Sequence, residues 1–219
     1  MIVLGLGGVQ GDAAGALLKN GELAAAIEES KLSRTRGQWN SGAGLPEQSI
    51  AACLSLAGVT AGQVDYVALA RPLPSGAETH LRLRSAFPGA RIVLVGHHRA
   101  HAASAYYASP FDEATVLTLD RAGDYRCGAR WRAEGNRITL EEESHYPESL
   151  GDLYGRVTEL LGFRANLEEH KVQWLSTAGD DRYRDLFLEI MPAHNGEWPR
   201  LDRSFFDAER LLVSKWCLR

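Results

Sequence analysis

The alternation of apolar and polar positions predicts strands first, then helices and strands in turn. Ile2–Leu6 is a short apolar, β-capable run broken at Gly5, Gly7 and Gly8. Ala13–Leu18 and Glu22–Glu28 flank Lys19-Asn20-Gly21, and Asn-Gly in a two-residue loop is a strong hairpin signal. Three antiparallel strands therefore open the chain. Residues 30–44 are polar, basic and glycine-rich, which reads as a loop. Pro46 starts a helix with apolar positions at Ile50, Ala51, Leu54 and Leu56, stopped by Gly58. A strand (Asp65–Leu69), a helix over residues 77–86, a strand (Arg91–Val95) and a helix from His97 to Ala108 follow. Thr115–Leu119 is a further strand. Arg126–Arg132 and Arg137–Glu143 form a hairpin turned at Glu134-Gly135-Asn136, and residues 149–161 and 181–190 are helical. This order predicts one α/β lobe over residues 1–195. Its sheet is mixed and five-stranded, with the first three strands antiparallel and helices on both faces. Residues 196–219 form an irregular tail.

Composition narrows the class. The chain has 219 residues, 45% hydrophobic and 24% charged, which suits a packed globular core and not disorder. No apolar run approaches the roughly 20 residues of a membrane span. Residues 2–9 lack the basic leader of a signal peptide. The chain therefore reads as soluble and cytoplasmic, with no membrane partner. A net charge of −4 leaves no electrostatic footprint for nucleic acid. Cys53, Cys127 and Cys217 have neither disulfide-framework nor metal-ribbon spacing, and Cys127 is assigned to packing.

The most informative chemistry is His97-His98-Arg99-Ala100-His101. On a helix, His97 and His101 stand one turn apart on one face, where two imidazoles reach a single metal ion. Asp120, after the apolar run Val116–Leu119, would supply a carboxylate from a strand end, where open α/β sheets place ligands. The other reading of the spacing is that the three histidines merely cap a strand-to-helix turn and bond backbone groups. Two glycine-rich turns, Gly5–Asp12 and Asp120–Asp124, suit close backbone approach to a phosphate or adenylate, though each is also an ordinary turn. Lys31, Arg34 and Arg36 lie on a basic loop able to meet phosphate or carboxylate. The run Glu168-Glu169-His170-Lys171 reads as a solvated face.

Read jointly, these motifs resemble the O-carbamoyltransferases of antibiotic and nodulation-factor biosynthesis. The resemblance rests on Gly11-Asp12-Ala-Ala with Asn20-Gly21, Ala26-Ile-Glu-Glu29-Ser-Lys-Leu-Ser-Arg34, and Leu45-Pro-Glu-Gln-Ser-Ile50. It continues through His97-His-Arg-Ala-His101 with its alanine-rich tail, Leu117-Thr-Leu-Asp120, Ser149-Leu-Gly-Asp-Leu-Tyr154, Leu161-Gly-Phe163 and Glu169-His-Lys171. It implies a ribonuclease-H-like lobe of the actin-like ATPase fold, related to the domain that threonylcarbamoylates tRNA. In that family a carbamoyl group from carbamoyl phosphate is adenylated with ATP and passed to a hydroxyl of a small molecule. The resemblance implies a divalent metal, iron or zinc, on His97, His101 and Asp120. Asp12 would orient or deprotonate the acceptor hydroxyl. Arg34, Arg36, Asp124 and Lys171 would bind substrate or phosphate.

The chain departs from the family pattern in four ways. It is much shorter, so that the second lobe and the carbamoyl-adenylating domain are expected from a separate subunit in a homo- or hetero-oligomer. Gly11 stands where the family has His. Arg121 stands where it has Gly, placing a positive charge beside the proposed metal, and Trp174 replaces another Gly. Three readings follow: one half of a split carbamoyltransferase, a catalytically inactive binding or regulatory homologue, and a fragment of a longer enzyme.

Overall fold

Asn20 and Gly21 both adopt positive φ, 56° and 89°, the pairing that a two-residue turn between right-twisted strands requires. They join β2 (Ala14–Lys19) to β3 (Glu22–Glu28), and β2 also pairs antiparallel with β1 (Ile2–Gly7). The structure, a computed structural model, describes residues 1–8, 13–34, 45–71, 78–192, 198 and 200–205. It divides into two compact units, Met1–Ala100 and His101–Arg219.

In the first unit, β4 (Tyr66–Ala70) pairs parallel with β1, and β5 (Arg91–Val95) pairs parallel with β4. The sheet order is β3-β2-β1-β4-β5, which is the expected five-stranded mixed sheet. The crossovers carry α2 (Glu47–Ala57) and α3 (Glu78–Ala86). Both progress in the same direction across the sheet, so right-handed connections put both helices on one face. Leu4, Leu6, Leu17, Val67 and Leu69 line that face and share a core with Ile50 and Cys53 of α2 and Leu83 of α3. The short α1 (Glu29–Ser33) brings the buried Glu29 under the start of α2. There its carboxylate accepts from Ser49 N and Ser49 Oγ, both at 2.6 Å, and from Gln48 N at 3.1 Å.

The second unit holds a separate antiparallel sheet, β6 (Glu113–Gly123), β7 (Arg126–Glu134) and β8 (Arg137–His145), in that order. Helix α4 (His97–Tyr107) contains the boundary between the units. Its Ala102 and Tyr106 pack with Val116, Ala129, Trp131 and Ile138 of the sheet. Thr118 satisfies the buried indole, accepting from Trp131 Nε1 at 3.1 Å. Three further helices follow: α5 (Leu150–Leu160), α6 (Glu169–Leu175) and α7 (Arg184–Ile190). Leu153 and Ile190 build a small core with Leu201.

The strand expected over Thr115–Leu119 is longer, and Asp120 does not stand at its end in a parallel sheet. Leu119 pairs with Gly128 and Gly123 with Arg126, so four steps on β6 face two on β7. The two extra residues form a bulge over 120–122, which breaks the alternation that a period-of-two reading depends on. Among the described residues, no helix is long and apolar enough to cross a membrane.

Candidate metal centre

Strand β5 ends at Val95, and α4 begins two residues later. Arg71, just past β4, donates its N–H to Val95 O at 2.9 Å and so lies beside the end of β5. The Arg71 carbonyl oxygen lies 3.1 Å from His97 Nδ1. A carbonyl only accepts, so this contact assigns the proton to Nδ1 and the lone pair to Nε2. Backbone carbonyls commonly orient metal-ligating histidines in this way. His101 follows one turn along the same helix. His98, between them, is fully buried with its ring edge-on to that of His97.

Asp120 comes from the β6 bulge, a feature that re-aims side chains next to functional sites. Its Oδ1 accepts from Arg121 N at 2.6 Å, and its Oδ2 lies 3.7 Å from His101 Nε2. One donor atom each from His97, His101 and Asp120 falls within 4.8 Å of the other two. Donors each about 2.0–2.2 Å from one ion lie at most about 4.4 Å apart, so a small side-chain rotation closes the set. Two imidazoles and one carboxylate are donors of the kind that zinc or iron(II) takes. The residues present therefore fit a divalent transition metal. Among the described residues, no other such group of three is found.

The remaining expected site residues have other placements. Asp12 and Arg36 lie outside the described residues, as does Gly11. Arg34 is exposed and ends α1 with a left-handed φ of 57°. Asp124 opens the β6–β7 turn, also at φ 57°. Lys171 on α6 donates from Nζ to Glu168 Oε1 at 2.6 Å, so a phosphate there must compete with a carboxylate. That ammonium, with the Arg164 N–H and guanidinium, holds the Glu168 carboxyl down at about 2. Burial pushes the Cys127 thiol up, which agrees with a packing role. Trp174 is exposed and meets His170 edge-on.

Arg121 does not leave its charge unpaired beside Asp120. Its Nε lies 3.2 Å from Oδ1 of the buried Asp152, whose Oδ2 accepts from Arg156 Nε at 3.0 Å. Sequence reasoning gave Ser149, Gly151 and Asp152 no role. The available signal was the Ser-x-x-Asp spacing of a helix N-cap, and Ser149 Oγ does accept from Asp152 N at 3.0 Å.

Residues 76–194 match the family described as Carbamoyltransferase N-terminus. The chain belongs to this carbamoyltransferase family. It is 32% identical over 226 residues to an uncharacterized protein of Synechocystis sp., covering 85% of this chain and 36% of that protein. It is 32% identical over 207 residues to the nodulation protein NolNO of Sinorhizobium fredii, covering 82% of this chain and 29% of that one. The chain thus spans about a third of the length of the curated relatives it matches. The ROK hexokinase of Thermus thermophilus superposes with a TM-score of 0.51 at 17% identity, over 86% of this chain and 73% of that chain. That likeness assigns this chain the actin-like ATPase fold.

Proposed function

We propose that this chain takes part in ATP-dependent transfer of a carbamoyl group from carbamoyl phosphate, through a carbamoyl adenylate, to a hydroxyl of a small-molecule natural product such as an antibiotic precursor. A second subunit would supply the remainder of the machinery. The observation that carries this reading is the convergence of His97, His101 and Asp120, in a chain of the carbamoyltransferase family. ATP as co-substrate implies a cytoplasmic site of action.

In the transfer, the acceptor oxygen forms a bond to the carbamoyl carbon, and the bond from that carbon to the adenylate phosphate oxygen breaks. The hydroxyl proton passes to a base. Asp12 is the base the sequence offers, and a carboxylate in hydrogen-bond reach of the hydroxyl can both orient it and take its proton. His97, His101 and Asp120 would hold the metal, and the single carboxylate leaves a divalent site with net positive charge. Zinc or iron(II) bound there supplies Lewis acidity toward a carbonyl or phosphate oxygen. Arg34, Arg36 and Lys171 would neutralise phosphate charge, with Lys171 exchanging Glu168 for the anion.

The test is metal content by plasma mass spectrometry on protein never exposed to chelator, with His101→Ala beside it. About one equivalent of iron or zinc, lost in the variant, supports the reading. Carbamoyl transfer assayed with the complementary subunit then tests the activity itself. A metal-free wild-type chain favours the inactive binding or regulatory homologue.

A further inference from the structure

The carboxylate of Asp120 belongs to the stretch of β6 that β7 does not hold. The ladder breaks between Leu119 and Gly123, so the Asp120–Arg121 peptide lacks regular pairing across that gap. A second element meets this peptide instead. A Cβ on Gly151 would lie 2.6 Å from Arg121 N, 2.7 Å from Asp120 C and 2.9 Å from Arg121 Cα. Each of these is backbone, which cannot swing aside as a flexible side chain would. Glycine is the residue that permits this approach.

The turn adds directed bonds to that contact. Ser149 Oγ, fully buried, donates to Arg121 O at 2.6 Å, with Asp120 O at 3.2 Å as a second acceptor. The same oxygen accepts from Asp152 N, which ties the hydroxyl to the first turn of α5. Asp152 then pairs with Arg121 Nε while Arg156, one turn along α5, secures its other oxygen. Carbonyls, peptide plane and following side chain are all gripped by residues 149–156, on the two residues that carry Asp120 Oδ1 and its Arg121 N–H partner.

We propose that Ser149, Gly151 and Asp152 form a backbone clamp that positions Asp120 as a metal ligand. They are positioning residues, acting through the Asp120–Arg121 peptide. The inference rests on the metal reading of His97, His101 and Asp120, and goes beyond it by naming what fixes the carboxylate. Residues that orient metal ligands typically change affinity by about 10–100-fold when removed, and the clamp is expected to fall in that range.

The experiment titrates zinc into the apo chain of residues 1–219 against a chromogenic chelator. The variants are Gly151→Ala, Ser149→Ala, Ser149→Thr and Asp152→Asn. Gly135→Ala serves as a control, at a positive-φ turn (55°) in the same unit that makes no contact with Asp120 in these bonds. Gly151→Ala, Ser149→Ala and Asp152→Asn are expected to weaken zinc by about 10–100-fold, Ser149→Thr to restore most of it, and Gly135→Ala to leave it unchanged despite lower stability. Should Gly151→Ala fail to fold, the Ser149 pair gives the answer alone. Wild-type zinc binding with unchanged affinity in the clamp variants overturns the clamp and leaves the metal reading standing. So does a loss in Gly135→Ala that matches theirs. No zinc on the wild-type chain overturns both.

Discussion

Glu29 shows at the scale of one residue how a buried charge is accommodated. Its carboxylate takes two backbone N–H groups and a hydroxyl at the start of α2, leaving neither the helix donors nor the charge uncompensated. Glu29→Ala strands those donors, and each unsatisfied buried group costs about 1–3 kcal/mol. The substitution also relieves the cost of burying the Glu29 carboxylate, so the expected net loss is about 2–4 kcal/mol, read from the urea midpoint at unchanged slope. Glu168 makes a pH prediction. Its carboxyl, ordinarily at 4.5, is held at about 2 by Lys171 and Arg164, so the folded value is depressed. The contribution of this cluster is then complete above about 4.5 and is lost as pH falls through about 2. Carboxyl carbon NMR should show a Glu168 midpoint near 2, moving up in Lys171→Ala. A midpoint at the ordinary value would remove the Glu168–Lys171 contact from the account.

At the scale of elements, the β6–β7 turn carries avoidable strain. Asp124 and Tyr125 both have positive φ, 57° and 65°. Asp tolerates that region, whereas an exposed Tyr there is disfavoured by its Cβ. Tyr125→Gly is expected to raise stability by about 0.5–1 kcal/mol, after the greater unfolded-state entropy of glycine is subtracted. Chemical denaturation checks it, and a destabilised variant would mean that the Tyr125 ring makes contacts which outweigh the strain. The elements themselves were largely legible. Asn20-Gly21 announced its turn, Gly58 its helix end, and the hairpin around Gly135 its two strands. Strand β6 runs past Leu119, where the apolar alternation stops, because the bulge at residues 120–122 interrupts that alternation. A bulge is set by strand pairing, which one strand's pattern does not contain.

For the whole molecule, metal binding at the proposed centre would be linked to folding. A ligand that binds only the folded chain stabilises it by about 2.7 kcal/mol at a hundred times its dissociation constant. Zinc added to apo protein is therefore expected to raise the melting temperature by several degrees, and His97→Ala, His101→Ala or Asp120→Ala to abolish the rise. Equal melting curves with and without zinc in the wild-type chain would count against the centre. The candidate ligands were legible because the i,i+4 spacing of His97 and His101 is a property of any helix, and because Asp120 follows an apolar run. Their support was not. Nothing in the sequence links Arg71 to His97, or Gly151 to Arg121, since those contacts depend on how strands and helix ends are brought together.

By itself the sequence determined the order of elements, the antiparallel opening of the five-stranded sheet, the family and the three ligand candidates. These depend on short-range periodicity, turn chemistry and motif spacing. Only the tertiary structure decided that β6, β7 and β8 form a sheet of their own, and that Asp120 sits in a bulge beneath the start of α5. It also decided that Arg121 is paired with Asp152 and Lys171 with Glu168. Pairing register and the partners of charged side chains arise from long-range packing, where many sequences satisfy the same local rules and only the assembled backbone selects among them.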